Sequence, residues 1–339
     1  MKILVTGGVG FIGSHTVVEL QKNGFEVIIV DNLSNSKIEV MEKIEKISGI
    51  KPEIEIFDLV DQQKTLDFFT RHSDISGIIH FAAFKAVGDS VANPLAYYRN
   101  NLVSLMNILE GMKINKLTNL VFSSSCTVYG QPEILPVKED APVQIATSPY
   151  GNTKQISEEI ISDSLRTGGT KAIALRYFNP IGAHETSLIG ELPLGIPNNL
   201  VPFITQTAIG LRKQLSVFGG DYNTPDGTAV RDYIHVVDLA KAHIVALNRM
   251  INGKNISNYE MFNIGTGNGF SVLDVINSFE KTSGEKLNYQ IVGRRDGDVE
   301  IVYADTTLAN NELGWKAEKS LDEMTLSAWN WEKSLKAKN

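Results

Sequence analysis

Short apolar runs rich in β-branched residues recur along the first half of the chain: KILVTG, EVIIVDN, GIIHFAA, NLVFSSS and KAIALRYFN. Their apolar positions are consecutive, as in strands covered on both faces of a parallel sheet; a face open to water would impose alternation. Between them the apolar spacing turns helical, as in SHTVVELQKNG, which stops at Gly24 where a C-capping glycine would stand. This strand–helix alternation predicts an α/β fold built on a doubly wound parallel sheet with right-handed crossovers.

Beyond about residue 177 the texture changes. NPIGAHETSLIGELPLGIPNN is rich in Pro and Gly and weakly periodic, which predicts a loop-rich segment in a smaller α/β lobe, and long loops in compact proteins are usually functional. RDYIHVVDLAKAHIVALNRM returns to a turn, a strand and a helix, and YEMFNIGTG to a strand ending in a glycine-rich turn. With no internal repeat, low-complexity tract or independent linker, the two lobes are expected to interleave.

Composition narrows the partners. The 339 residues are 42% hydrophobic and 21% charged, enough for a sizeable core shared by two lobes. A net charge of −7 argues against nucleic acid or an anionic membrane as the main partner and leaves room only for a basic pocket around a small anion. The apolar start is too short for a signal-peptide core, and no stretch of apolar residues is long enough to cross a membrane. One cysteine, Cys126, excludes an intrachain disulfide and fits a reducing, cytoplasmic setting. The sequence suggests no metal ligands.

Two clusters carry chemistry. ILVTGGVGFIGSH places Gly7, Gly10 and Gly13 after a strand and at the opening of a helix. This is a variant of the dinucleotide fingerprint, in which glycines let backbone approach a pyrophosphate and let the helix pack close to the sheet. Asp31 ends the next strand, where a carboxylate accepts hydrogen bonds from an adenosine ribose and repels a 2′-phosphate, favouring NAD over NADP; Asn32 follows it. The competing reading of Asp31 is an exposed turn residue. In SPYGNTK, Tyr150 and Lys154 are one helical turn apart. Pro149 suits the first helical position and Ser148 a cap, which puts Tyr150 near a helix N-terminus. An ammonium, a helix N-terminus and a nicotinamide cation all favour the phenolate, so the phenol is expected below its ordinary pKa of about 10. Y-x-x-x-K alone is common and mostly structural. Beside the glycine turn and the strand end Ser123-Ser124-Ser125, it predicts a base at the ligand-binding end of the sheet.

With these motifs the chain resembles the extended branch of the short-chain dehydrogenase/reductase superfamily, with its Rossmann-type sheet, and within it the UDP-glucose (UDP-galactose) 4-epimerase family. Specific support comes from SSSCTVYG, RYFNPIGAH, IPNNL, GTAVRDYIHVVDLA and RRDGD. The resemblance spans essentially the whole chain. It implies an NAD-binding Rossmann domain from residues 1–176 plus about 229–262, and a UDP-sugar lobe from about 177–228 plus 263–339. It implies Tyr150 as catalytic base with Lys154 as its electrostatic partner and nicotinamide-ribose ligand. Ser125 would bind the sugar O4 and relay its proton, with Thr127 nearby. Gly7, Gly10, Phe11, Ile12, Gly13, Asp31, Asn32, Asp58, Leu59, Phe81, Ala82, Lys85, Asn100 and Phe178 would form the NAD site. Asn179, Asn199, Leu200, Arg231, Tyr233, Arg295 and Asp298 would hold the UDP-sugar. Arg231 and Arg295 are suitable forks for a diphosphate, although either alone reads equally as a surface ion-pair residue. Lys85 could instead be a solvated lysine and Asn179 a turn-former, and His80 reads as a satisfied core histidine.

The implied reaction interconverts UDP-glucose and UDP-galactose through a transient 4-keto sugar, with NAD tightly bound throughout. A nucleotide-sugar 4,6-dehydratase would want an Asp-Glu pair where this chain has Ser125-Cys126-Thr127. A non-catalytic regulator of the same fold would be expected to lose Tyr150 or Lys154. A pocket-wall position that restricts N-acetylated sugars when it is tyrosine is Val302 here, which implies room for UDP-GlcNAc and UDP-GalNAc, or even a preference for them. Cys126 reads as a small buried residue or as a thiol open to alkylation. Relatives pair as homodimers through a helix bundle, which here would use ANPLAYYRNNLVSLMNILEGM and the helix after Tyr150. In that helix Ile156, Ile160 and Leu165 suit a core or a dimer face.

Overall fold

The consecutive apolar runs become strands buried from both sides. The computed structural model describes residues 1–166, 169–295 and 298–336. Its first half runs β1 (Lys2–Thr6), α1 (Phe11–Lys22), β2 (Glu26–Asp31), α2 (Val40–Ser48), β3 (Glu53–Ile56), α3 (Gln62–Arg71), β4 (Ile75–His80), α4 (Val87–Ala92), α5 (Pro94–Ile114), β5 (Asn119–Ser123), α6 (Pro149–Leu165) and β6 (Lys171–Tyr177). Its second runs β7 (Asn179–Ile181), α7 (Leu200–Ala208), β8 (Leu215–Phe218), β9 (Val230–Arg231), β10 (Tyr233–His235), α8 (Val236–Ile251), β11 (Tyr259–Ile264), β12 (Phe270–Ser271), α9 (Val272–Ser283), β13 (Tyr289–Val292), β14 (Ile301–Val302) and α10 (Leu321–Lys336).

Seven parallel strands form the central sheet in the order β11-β6-β5-β4-β1-β2-β3. Alternate residues of each strand enter opposite cores. Ile3 and Val5 of β1 join one cluster with α1 and α8, while Leu4 joins the other with α3, α5 and α6. Because both faces are covered, the strands read as unbroken apolar runs. The edge strand β3, with the sequence EIEI, escapes that pattern because its residues are only half-buried or exposed. Strand order reverses between β1 and β4, and sheets of this kind take ligands in the crevice outside the strand ends at such a switch point. The smaller sheets are β7 with β10, β9 between β12 and β14, and β8 with β13. They surround a third core centred on Phe279 and Trp329. Residues 182–199 carry no helix or strand, only a bridge between Ala183 and Gly190.

The caps agree with the sequence. Gly24 follows α1 in the left-handed region (φ 79°). Ser148 caps α6 by accepting from the Gly151 N–H at 3.1 Å, with Pro149 in the first turn. Of the three apolar α6 residues named above, Leu165 is in the core and Ile160 packs against it, while Ile156 is half-buried.

Five of the six histidines are buried, and burial lowers the pKa of each, His184 included. Burial pushes His15 and His80 down to about 3 and His235 and His243 to about 4, against an ordinary value of 6.5. Between those values the unfolded chain binds protons that the folded chain refuses. Stability is therefore expected to fall as pH drops from about 6.5 towards 4, by up to about 1.4 kcal/mol per group per pH unit. Urea midpoints measured across that window check this; a midpoint flat down to pH 4 contradicts it.

Candidate active site

The glycine turn closes backbone to backbone. A Cβ on Gly13 would stand 2.1 Å from the Gly7 carbonyl oxygen, and one on Gly7 (φ +70°) would stand 3.0 Å from the Ala82 nitrogen. Gly10 is the N-cap of α1 and offers no side-chain cap, so the first-turn amides of Phe11 and Ile12 meet no competing side chain from that position. Such an end suits a phosphate. Asp31 is not an exposed turn residue: it is buried, its Oδ2 accepts from the Val9 N–H at 3.3 Å, and its Oδ1 accepts from Leu33 N–H and Ser36 Oγ, both at 2.9 Å. The carboxylate is thus tied to the glycine turn. Asn32 donates to Asp58 at 3.1 Å, and Leu59 beside it is buried. After β4, Phe81 N–H donates to the Thr6 carbonyl at 3.1 Å and Ala82 N–H to Thr6 Oγ1 at 3.3 Å. Lys85 Nζ lies 6.0 Å above the Phe11 ring. Asn100 donates to Asn101 Oδ1 at 2.9 Å, an oxygen that also accepts from Phe84 N–H at 2.8 Å. These residues gather around the switch point, and the turn fits a dinucleotide.

Tyr150, Lys154 and Ser125 come together where β5 ends against the start of α6. Lys154 is buried, donates from Nζ to the Ser123 carbonyl at 2.7 Å, and stands 4.9 Å from the centre of the Phe122 ring and 5.9 Å from that of Tyr150. Ser125 Oγ accepts from Thr127 N–H at 3.2 Å, and the Ser125 hydroxyl also bonds the Tyr150 phenol. Thr127 Oγ1 is buried without a partner in the described chain. One expectation is corrected here. In the protein by itself burial dominates, pushing the Tyr150 phenol well above its ordinary value, with the Ser125 bond opposing. Burial likewise brings Lys154 down to about 8, with Glu158 opposing. Spacing placed the phenol and the ammonium correctly but carried no information about how dry the site is. Cys126 is half-buried, and desolvation pushes its thiol up to about 12, the opposite direction from that of nucleophilic cysteines.

Of the candidate sugar and diphosphate residues, Asn179, Arg231, Tyr233 and Val302 sit on the smaller sheets. Asn179 on β7 pairs with Tyr233 on β10. Tyr233 is buried and pushed up to about 12, chiefly by desolvation. Arg231 and Arg295 both donate to Asp298 Oδ1, at 3.4 and 2.8 Å, so one carboxylate draws the two forks together. Asp296 and Gly297 of the RRDGD motif lie outside the described residues. Val302, paired with Arg231 across β14 and β9, is buried in a cluster with Phe178, and Cys126 packs against the same cluster. Asn199 caps α7, whose first residue is Leu200.

Three acidic residues escaped the sequence reading. Asp232, fully buried, accepts from Thr266 N–H and Oγ1 at 2.8 Å, Gly267 N–H at 3.0 Å and Ala304 N–H at 3.2 Å, tying the NIGTG turn and the end of β14 to β9. Glu191 Oε1 accepts from both Lys85 (3.1 Å) and Asn199 (2.6 Å), one from each proposed ligand site. Glu158 lies eight positions after Tyr150 and four after Lys154 on α6. That spacing was visible in the sequence; the partners of Asp232 and Glu191 are distant in sequence.

A sequence profile described as GDP-mannose 4,6 dehydratase matches residues 4–327. The UDP-glucose 4-epimerase of Haemophilus influenzae is 48% identical over 335 residues, covering 98% of each chain. Two solved structures superpose over nearly the whole chain. The UDP-glucose 4-epimerase of Stenotrophomonas maltophila, with bound NAD and formylated UDP-arabinopyranose, has a TM-score of 0.96 at 44% identity over 100% of both chains. That of Bifidobacterium longum, in complex with NAD+ and UDP, has 0.93 at 45% over 98% of both. Fold and site together define an extended short-chain dehydrogenase/reductase. Within that class, full-length identity near one half places the chain in the UDP-glucose 4-epimerase family, to which it belongs.

Proposed function

We propose that the protein interconverts UDP-glucose and UDP-galactose through a transient 4-keto sugar, using tightly held NAD. The observation that carries this is the convergence of Tyr150, Lys154 and Ser125 at the end of β5, beside a glycine turn built for a pyrophosphate. Bound NAD would supply the acceptor and donor of the C4 hydride, and its positive ring would favour the phenolate. Tyr150, as phenolate, takes the C4-hydroxyl proton, relayed through Ser125, and later gives it back. Lys154 stabilises the phenolate and would hold the nicotinamide ribose. Arg231 and Arg295 grip the diphosphate, so the sugar stays tethered while the keto intermediate turns over. A dehydratase is disfavoured because Ser125-Cys126-Thr127 carries no carboxylate. Incubating purified protein with UDP-galactose, without added NAD, and analysing the sugars tests the reading; no UDP-glucose sinks it.

The remaining NAD and UDP-sugar residues keep the roles assigned to them above, and the two lobes their interleaved boundaries. Val302, buried beside Phe178 and Cys126, supports a pocket that admits N-acetylated sugars. Val302→Tyr should therefore retain UDP-galactose turnover while lowering that of UDP-N-acetylgalactosamine about 10–200-fold, a discrimination of about 1–3 kcal/mol. A parent enzyme that rejects the N-acetyl sugar overturns the assignment. Exposed Val91 on α4 and Leu95 in the first turn of α5 support a homodimer. A single cysteine supports a reducing, cytoplasmic setting, and no described helix is long and apolar enough to cross a membrane.

A further inference from the structure

Between the catalytic helix and the sheet lies a buried polar network that the reaction scheme leaves unused. Arg176, on β6, grips Glu158 with two parallel bonds, Nε to Oε1 at 3.0 Å and Nη2 to Oε2 at 2.6 Å. Its third nitrogen, Nη1, donates to Tyr129 OH at 3.0 Å and the Glu139 carbonyl at 3.1 Å. Glu158 Oε1 also accepts from Ser124 Oγ at 2.5 Å. Ser124 stands between the two residues that matter most to the site. The carbonyl of Ser123 receives the Lys154 ammonium, and the hydroxyl of Ser125 meets the Tyr150 phenol. Tyr177, next to Arg176 on β6, bonds Ser123 Oγ at 2.6 Å and fixes the same strand end from the other side.

We propose that Glu158 is a positioning residue for the reaction: held by Arg176, its carboxylate pins the Ser123–Ser125 strand end against α6 and gives Lys154, one turn earlier on the same helix face, its counter-charge. The proposal rests on the roles given above to Tyr150 and Lys154. A fixed anion is needed because the ammonium is buried among Phe122, Tyr150 and a single carbonyl, surroundings that favour its neutral form. The groups facing this pair from neighbouring elements cannot substitute for it. His80 on β4 is held neutral, at about 3, with Lys154 itself contributing to that shift. Tyr129, Tyr177 and, on β11, Tyr259 are all pushed up and stay neutral. Glu139 reaches Arg176 through its carbonyl and directs its carboxylate to Asn263 N–H at 2.7 Å.

The test is Glu158→Gln in the NAD-bound protein, which keeps the shape and an acceptor for Ser124 but removes the charge. The ionisation midpoint of Lys154 is read by NMR with isotope-labelled lysine, its resonance identified with Lys154→Met. The midpoint should fall by about one unit, and kcat for UDP-galactose should fall with KM unchanged, most strongly on the alkaline side. A purely structural role would lower the melting temperature and leave the midpoint where it was; a parental midpoint in folded Glu158→Gln overturns the proposal. So does a loss confined to KM. If the lone Arg176 charge prevents folding, Glu158→Gln combined with Arg176→Met removes both charges together, and the same midpoint decides. A parent protein that fails to epimerise sinks the function reading, while the ionisation measurement still decides this one.

Discussion

Tyr150→Phe is expected to bind NAD and UDP-sugar as the parent does and to lose about 10²–10⁴-fold in kcat, the usual contribution of a positioned proton-transfer group. The substitution removes one hydroxyl from a buried ring and leaves the ring's packing in place. Ser125 and Lys154 keep their strand-end partners, Thr127 N–H and the Ser123 carbonyl. Binding energy is then unchanged and only the proton path is cut, so KM should hold while kcat collapses. Equilibrium dialysis of UDP and the NAD content of the purified variant, set beside steady-state turnover, separate these effects. Near-parental kcat in Tyr150→Phe would remove the phenol from the mechanism. The strong burial of this phenol adds a second expectation: turnover should rise with pH up to the value at which the loaded site ionises, and that rise should vanish in the variant.

Gly13→Ala should yield protein that retains no NAD and unfolds at a lower temperature. The added methyl would stand 2.1 Å from the Gly7 carbonyl oxygen and 2.9 Å from its carbon, both backbone atoms that have no rotamer with which to yield. Forced overpacking of this kind costs about 1–3 kcal/mol or more, and losing a tight ligand removes a further stabilisation of about 4 kcal/mol where the ligand stood at a thousandfold over its Kd. Gly24→Ala is the control. Gly24, unlike the helical Gly13, is in the left-handed region, but a Cβ there meets nothing within 4 Å. It should lose about 1 kcal/mol and keep its cofactor. Gly13→Ala that purifies with full NAD and a parental melting temperature would show that the turn has slack the backbone geometry denies.

The parallel sheet was legible because burial on both faces leaves unbroken apolar runs, and for the same reason the edge strand β3, half-covered, was not. The Tyr150–Lys154 pair was legible because its members lie on one helix, where spacing is geometry. What spacing could not report is dielectric. Lys154 and Tyr150 were placed correctly, yet the direction of the phenol's shift in the free protein depends on how completely α6, β5 and their neighbours exclude water. Asp232, Glu191 and Arg176 were missed for another reason. Each acts through partners on elements far away in sequence, and a polar residue in an apolar run gives no sign of which donors will meet it.

The Asp232 knot gives the pocket two independent settings. Arg231 and Val302 are paired neighbours on β9 and β14, and the carboxylate between them takes its donors from backbone N–H groups and one threonine hydroxyl, none of them from residue 302. Side chains at 302 can therefore change in size while the strand carrying Arg231 stays in register. Under the function proposed above, one lineage would retune which hexose it accepts without rebuilding the handle by which the substrate is held.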